Sequence, residues 1–253
     1  MKKKLKRLLF CVADLLLPRL CIVCGERLIT AEKHLCLKCL SDLPSTYFWT
    51  QEHNQMSDRF NGLLQEKLEL TLPFRFEKYA YAVSLLYYRD GDDFCHIPHE
   101  IKYHRNLSAG RYFGSMLGKR ISQSALLNDI DTVIPVPLHW SRKWKRGYNQ
   151  AEIIARAVAE CLGVIVRTDI LYRARQTQTQ TKLDIDEKGA NVSGAFAVRD
   201  GNSINQDDIR HILLVDDVFT TGSTLLECFW TLRSVFPPTV RISVATLCFV
   251  GEG

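Results

Sequence analysis

Two rhythms of apolar residues run along the chain. From Tyr79 to Tyr88 β-branched and aromatic residues crowd together and stop at Arg89-Asp90-Gly91-Asp92, which predicts a strand closed by a turn. Shorter apolar stretches over 131–137, 163–166 and 211–215, and a longer one over 240–250, predict further strands. Between them, helices are predicted over 97–104, 108–124, 150–162 and 222–236, with Pro98 tolerable only in the first turn of its helix. Strands alternating with helices after residue 130 imply an α/β fold with a doubly wound, mainly parallel sheet. Residues 41–78 are mixed: Pro44 and Pro73 read as boundaries, Asn61-Gly62 as a turn, and the stretch as a connector with one short helix. The run Gln176-Thr177-Gln178-Thr179-Gln180-Thr181 reads as a mobile polar loop.

Composition narrows the class. With 253 residues, 46% hydrophobic and 24% charged, the chain excludes disorder and collagen and fits one large domain with an appendage. The net charge of +5 has a local origin: Lys2, Lys3, Lys4, Lys6 and Arg7 fill the first seven positions without an acidic residue, and the remainder carries 28 charges of each sign. The apolar run Leu8–Leu17 that follows is interrupted by Asp14 and is too short to span a bilayer, so no transmembrane segment is expected. It reads as a short amphipathic helix ending before Pro18, with an interfacial helix as the alternative. Nine cysteines, an odd number, fit a cytoplasmic setting, or one peripheral to the inner membrane if that helix touches lipid.

Four of those cysteines form two pairs, Cys21-x2-Cys24 and Cys36-x2-Cys39, separated by eleven residues. Paired spacing of this kind is a zinc signature, and Gly25 permits the tight turn of the first knuckle. Four thiolates close the coordination sphere, so the ion expected here is structural and leaves no position for substrate. The other reading is four buried or disulfide-bonded cysteines. His34 is a spare ligand, read as a solvated neighbour. Cys11, Cys95, Cys161, Cys228 and Cys248 read as small buried hydrophobes, and His96 and His99 as surface or loop residues.

The richest segment is Ile212-Leu213-Leu214-Val215-Asp216-Asp217-Val218-Phe219-Thr220-Thr221-Gly222-Ser223-Thr224. An apolar run delivers Asp216 and Asp217 to the carboxyl end of a buried strand, where open α/β sheets place their ligands, and two carboxylates there suit the hydroxyls of a ribose diol. Thr220, Thr221, Gly222, Ser223 and Thr224 then offer hydroxyls, backbone N–H groups and a helix N-terminus, a site for a phosphate dianion. Together they describe a ribose 5-phosphate ligand. The competing reading is an ordinary strand, turn and capped helix.

This segment resembles the phosphoribosyl-pyrophosphate motif of type I phosphoribosyltransferases. The resemblance extends to the ComF family of competence-related proteins through Val133-Ile134-Pro135-Val136-Pro137-Leu138-His139, Arg142 and Arg146-Gly147-Tyr148-Asn149-Gln150. Ile101-Lys102-Tyr103, the paired cysteines and the loop carrying Gln180, Leu183, Asn191, Gly194, Ala195 and Phe196 add to it. It implies a type I phosphoribosyltransferase fold with an N-terminal zinc ribbon and a role in DNA uptake. The organisation it implies is a basic amphipathic segment (1–19), a zinc ribbon (20–45), a connector (46–78) and a phosphoribosyltransferase-like domain (79–253).

By that resemblance Val136, Pro137, Leu138, Arg142 and Arg146 bind pyrophosphate, and Mg²⁺ accompanies the phosphoribosyl pyrophosphate. Residues 132–151 contain no acid, and arginine forks suit diphosphate oxygens. The competing reading is single-stranded DNA, which Trp140, Trp144 and Tyr148 interleaved with the cations would suit by stacking on bases, and Lys143 and Lys145 fit either ligand. Residues 174–196 resemble the mobile hood that shields the reacting sugar, with Gln180 and Asn191 in it. Where the family has several arginines before the asparagine, this chain has Asp184, Ile185, Asp186, Glu187, Lys188, Gly189 and Ala190, so fewer cations face a leaving pyrophosphate. Three functions follow as alternatives: a transferase with Asp216 and Asp217 in the catalytic position, acting in competence; a non-catalytic sensor or adaptor for DNA and a DNA-uptake helicase; and a nucleotide-salvage transferase.

Overall fold

The structure, a computed structural model, describes residues 18–71, 77–174, 194–199 and 209–251. The described strands are β1 (Ala82–Tyr87), β2 (Thr132–Pro135), β3 (Ile165–Val166), β4 (Leu171–Arg173), β5 (Phe196–Val198), β6 (His211–Phe219) and β7 (Arg241–Phe249). The described α-helices are α1 (Leu37–Ser41), α2 (Gln55–Thr71), α3 (His96–Tyr103), α4 (Leu107–Ser122), α5 (Trp140–Arg146), α6 (Gln150–Leu162) and α7 (Ser223–Arg233). The expected N-terminal amphipathic helix, the polar run 176–181, Gln180 and Asn191 fall outside the described residues.

Five strands make one sheet in the order β1-β7-β6-β2-β3, and every neighbouring pair is parallel. This is the expected α/β architecture with a mainly parallel sheet. Burial explains the strand sequences: β6 and β7 are apolar almost throughout because both of their faces are covered. The chain leaves β2 toward β3 but leaves β6 toward β7, in the opposite direction. Right-handed crossovers therefore put α6 and α7 on opposite faces and open a crevice at the carboxyl ends of β2 and β6. On one face α4 and α6 meet almost backbone to backbone. A Cβ on Gly114 would lie 2.9 Å from Ala157 Cβ, and one on Gly118 would lie 2.8 Å from Cys161 Cβ. On the other face Phe60 of α2 meets Phe219 and Phe229 edge-on.

Several elements depart from the sequence pattern. Asn61-Gly62 is no turn, because both residues lie inside the 17-residue α2. The Asn61 side chain explains the misreading: its Nδ2 donates to Ala80 O at 2.8 Å and its Oδ1 accepts from Ala80 N at 2.9 Å, satisfying the chain just before β1. Met56, Phe60 and Leu64 of the same helix are buried in the main core. The strand expected to end at Val215 continues to Phe219, so both aspartates sit within β6. Residues 140–146 form a helix, and β4 and β5 form an antiparallel ribbon that periodicity did not predict.

Candidate functional site

The N-terminal centre is built from a hairpin and a helix start. Leu20 and Arg27 bridge antiparallel, Gly25 turns the chain at φ 72°, and Cys21 N donates to Glu26 O at 2.8 Å. This loop carries the first cysteine pair. The second sits where Cys36 caps α1, its sulfur accepting from Cys39 N at 3.4 Å. All four sulfurs lie within 4.8 Å of one another, and those of Cys24 and Cys36 are 3.7 Å apart. Zn–S bonds of about 2.3 Å in a regular tetrahedron give sulfur–sulfur edges of about 3.8 Å. The donor set thus fits one tetrahedral zinc ion, with soft thiolates as ligands. Cys21, Val23, Leu28, Leu35 and Cys39 join the main hydrophobic core, so the segment is docked rather than tethered. His34, expected in solvent, instead packs on Tyr112 of α4 with ring centroids 5.3 Å apart.

The second centre lies at the crevice between β2 and β6. Pro135 pairs with Val215, and Val136 N donates to Val215 O at 2.8 Å, which brings the loop after β2 alongside the two aspartates. Oδ1 of Asp216 accepts from Asp217 N at 2.8 Å, and Oδ1 of Asp217 accepts from Val218 N at 2.9 Å. Burial pushes the Asp216 carboxyl well above the ordinary carboxylate range, the adjacent Asp217 charge adds to the rise, and the charge of Lys102 opposes it.

The turn after β6 is fixed by its own residues. Gly222 stands at φ 81° as the N-cap of α7, and a Cβ there would lie 2.7 Å from Phe219 Cζ and 2.9 Å from Leu63 Cδ1. The position therefore requires glycine on two grounds, conformation and space. Thr221 Oγ1 lies 2.9 Å from Ser223 Oγ and accepts from Ser223 N at 3.4 Å, while Thr220 is exposed and Thr224 half-buried.

Opposite this turn, Val136 is buried and Pro137 and Leu138 are half-buried. Asn149 holds that loop: its Nδ2 donates to Val136 O at 3.0 Å while its Oδ1 caps α6 through Ala151 N at 3.2 Å. Arg142 lies on α5, and Arg146 ends that helix with its guanidinium 5.5 Å from the Tyr103 ring centroid. Arg146 Nη1 donates to Gln150 Oε1 at 3.1 Å, and Gln150 Nε2 donates to Asp217 Oδ2 at 3.3 Å. The Tyr148 hydroxyl donates to the Ile101 carbonyl, tying α3 to the crevice. Next to α3, Arg105 takes the left-handed conformation at φ 55°.

Asp216, Asp217, Thr220–Thr224, Val136 and Arg146 are thus gathered at one sheet end. Sequence reasoning assigned no role to Gln150, Asn149 or Lys102 and read Tyr148 only as a base-stacking candidate, although all four stand in the quoted motifs. Their uninterrupted spacing around Arg146 and Tyr103 was the available signal. Outside the crevice, His99 stacks on Tyr103 with centroids 4.6 Å apart and belongs to no described metal cluster.

No protein-family model matches the chain. It is 38% identical over 105 residues to Competence protein F of Haemophilus influenzae, covering 42% of this chain and 45% of that one. It is 31% identical over 150 residues to DNA utilization protein YhgH of Salmonella typhimurium, covering 58% of this chain and 63% of that one. The chain spans less than two thirds of the length of either relative. A solved structure of the allosteric regulatory enzyme of purine biosynthesis overlaps 54% of this chain and 25% of its own, at 18% identity and a TM-score of 0.34, a likeness too small to bear on ligand or reaction. The chain is a homologue of Competence protein F and DNA utilization protein YhgH, in agreement with the ComF resemblance of its sequence.

Proposed function

We propose that the crevice binds phosphoribosyl pyrophosphate, or another ribose 5-phosphate ligand, and that the protein serves DNA utilization as its relatives' names indicate. One observation carries the reading: at the point where the strand order reverses, β6 and β2 bring Asp216 and Asp217, the N-terminus of α7 and Arg146 to one place. Each contact has a chemical counterpart in the ligand. The carboxylates accept from the ribose hydroxyls, the N–H groups and hydroxyls of Thr220–Thr224 receive the 5-phosphate, and Arg142 and Arg146 take the diphosphate.

Mg²⁺ belongs with the diphosphate, whose charge it offsets. The hard oxygen donors of Asp216 and Asp217, which repel one another, are the residues suited to hold it. In a transferase, the arginines stabilise charge on the departing diphosphate and the aspartates hold the sugar as an acceptor attacks C1. The zinc centre has no open position and keeps the N-terminal segment folded.

A second reading, a ligand-sensing adaptor that contacts single-stranded DNA or a DNA-uptake helicase, is favoured by one feature. Trp140 and Trp144 are one helical turn apart on α5, 68% and 80% exposed, in a segment that also carries Arg142, Lys143, Lys145 and Arg146. Assaying pyrophosphate release with candidate acceptor bases separates the two. Release dependent on an acceptor supports the transferase, and ligand binding without release for any acceptor supports the adaptor. Among the described residues no helix is long and apolar enough to cross a membrane.

A further inference from the structure

Gln150 stands between the two halves of the proposed ligand. Its side chain, at the first position of α6, is almost wholly buried, with the residue 6% exposed. The amide oxygen accepts from Arg146 Nη1 at 3.1 Å and the amide nitrogen donates to Asp217 Oδ2 at 3.3 Å. On the reading above, Arg146 serves the diphosphate and Asp217 the ribose.

An arginine and a carboxylate this near each other favour a two-pronged ion pair, which commits two guanidinium N–H groups and both carboxylate oxygens to one another. A ligand would then have to break that pair before using either group. The neutral amide occupies the place of the direct contact and takes one bond from each partner. A guanidinium has five N–H donors and a carboxylate about four acceptor sites, so both retain capacity for a ligand. The two residues just before Gln150 are themselves anchored. Asn149 caps α6 and grips Val136 O, and Tyr148 is tied to Ile101. The Tyr103 ring beside Arg146 limits where the guanidinium can turn.

We propose that Gln150 is a positioning residue that keeps Arg146 and Asp217 apart as separate ligand contacts and sets the register between the diphosphate grip and the ribose grip. This rests on the phosphoribosyl pyrophosphate reading. It predicts a larger effect on a ligand that uses both grips than on ribose 5-phosphate, which draws on Asp217 alone and loses only that one grip when the pair stays closed. Ribose 5-phosphate has no diphosphate and does not engage Arg146.

The test measures the affinities of phosphoribosyl pyrophosphate with Mg²⁺ and of ribose 5-phosphate for the full chain and for Gln150→Glu, Gln150→Leu, Arg146→Ala and the double variant Gln150→Leu/Arg146→Ala. Gln150→Glu nearly preserves shape but pairs with Arg146 and repels Asp217, and Gln150→Leu lets the two collapse together. The expected result is a fall of about tenfold in the preference for the diphosphate ligand over ribose 5-phosphate in each Gln150 variant, the scale of one lost charge-assisted hydrogen bond. The double variant should show no lower preference than Arg146→Ala alone. A purely architectural Gln150 would weaken both ligands equally, leave the preference unchanged and add to the effect of Arg146→Ala, and that result overturns the proposal while the ligand reading stands. An unsubstituted protein that binds neither compound overturns both.

Discussion

Replacing Gly222 by alanine tests whether the turn after β6 has the shape that a phosphate site needs. At φ 81° an L-residue pays about 1 kcal/mol for the left-handed conformation. The new Cβ would also stand 2.7 Å from Phe219 Cζ and 2.9 Å from Leu63 Cδ1, well inside van der Waals contact. Overpacking of this kind costs about 1–3 kcal/mol. The sum is a destabilisation of about 2–4 kcal/mol, read as a lower urea midpoint at unchanged slope. Part of it is separable, because Leu63 belongs to α2 and can be shortened. In a double-mutant cycle with Leu63→Ala, the steric share due to Leu63 should be relieved by about 1 kcal/mol while the conformational share remains. Ribose 5-phosphate affinity should fall in Gly222→Ala, because the same movement displaces the N–H groups that open α7. Stability within about 0.5 kcal/mol of the unsubstituted protein, or no coupling to Leu63, would refute the reasoning.

Cys36→Ser should remove one thiolate and with it stoichiometric zinc, unfolding the segment around α1; full zinc content by metal analysis would contradict the four-thiolate centre. Glu77→Gln should cost about 1.5–3 kcal/mol in chemical unfolding, because Arg233, whose side chain is 3% exposed, donates to Glu77 Oε1 at 2.6 Å and would lose that charge-assisted hydrogen bond. His211 supplies a pH dependence. It is held between Asp129 Oδ1 at 2.6 Å and Ser243 Oγ at 2.8 Å, with Arg241 and Asp131 also facing it, and burial outweighs Asp129 to bring its pKa below the ordinary 6.5. The unfolded chain therefore binds the proton more readily. The stability is complete above 6.5 and declines as pH falls through the lowered folded value, and His211→Gln should flatten unfolding free energy against pH in that window.

What was legible followed from local rules. The paired cysteines need only their spacing, and strands β2, β6 and β7 announced themselves because a parallel sheet covered on both faces demands apolar runs such as Ile212–Val215. The turn predicted at Asn61-Gly62 failed because a tertiary contact decided it: Asn61 pairs with the Ala80 backbone, a use of the side chain that no local propensity reveals. The β4–β5 ribbon was illegible for a similar reason, since three-residue strands gain their order from pairing with a partner distant in sequence. At the crevice, charged and hydroxyl residues could be read as ligand contacts from their chemistry. Gln150 and Asn149 could not, because amides act here by what they hold, and that is known only once Arg146, Asp217 and Val136 are brought around them.

The central claim is that the crevice between β2 and β6 is a phosphoribosyl pyrophosphate site, and calorimetric titration of the full chain with that compound and Mg²⁺ tests it most directly. The account predicts saturable micromolar binding that Asp217→Asn weakens by more than about 1 kcal/mol through loss of charge-assisted hydrogen bonds. Absence of binding, or an affinity that Asp217→Asn leaves unchanged, would contradict it.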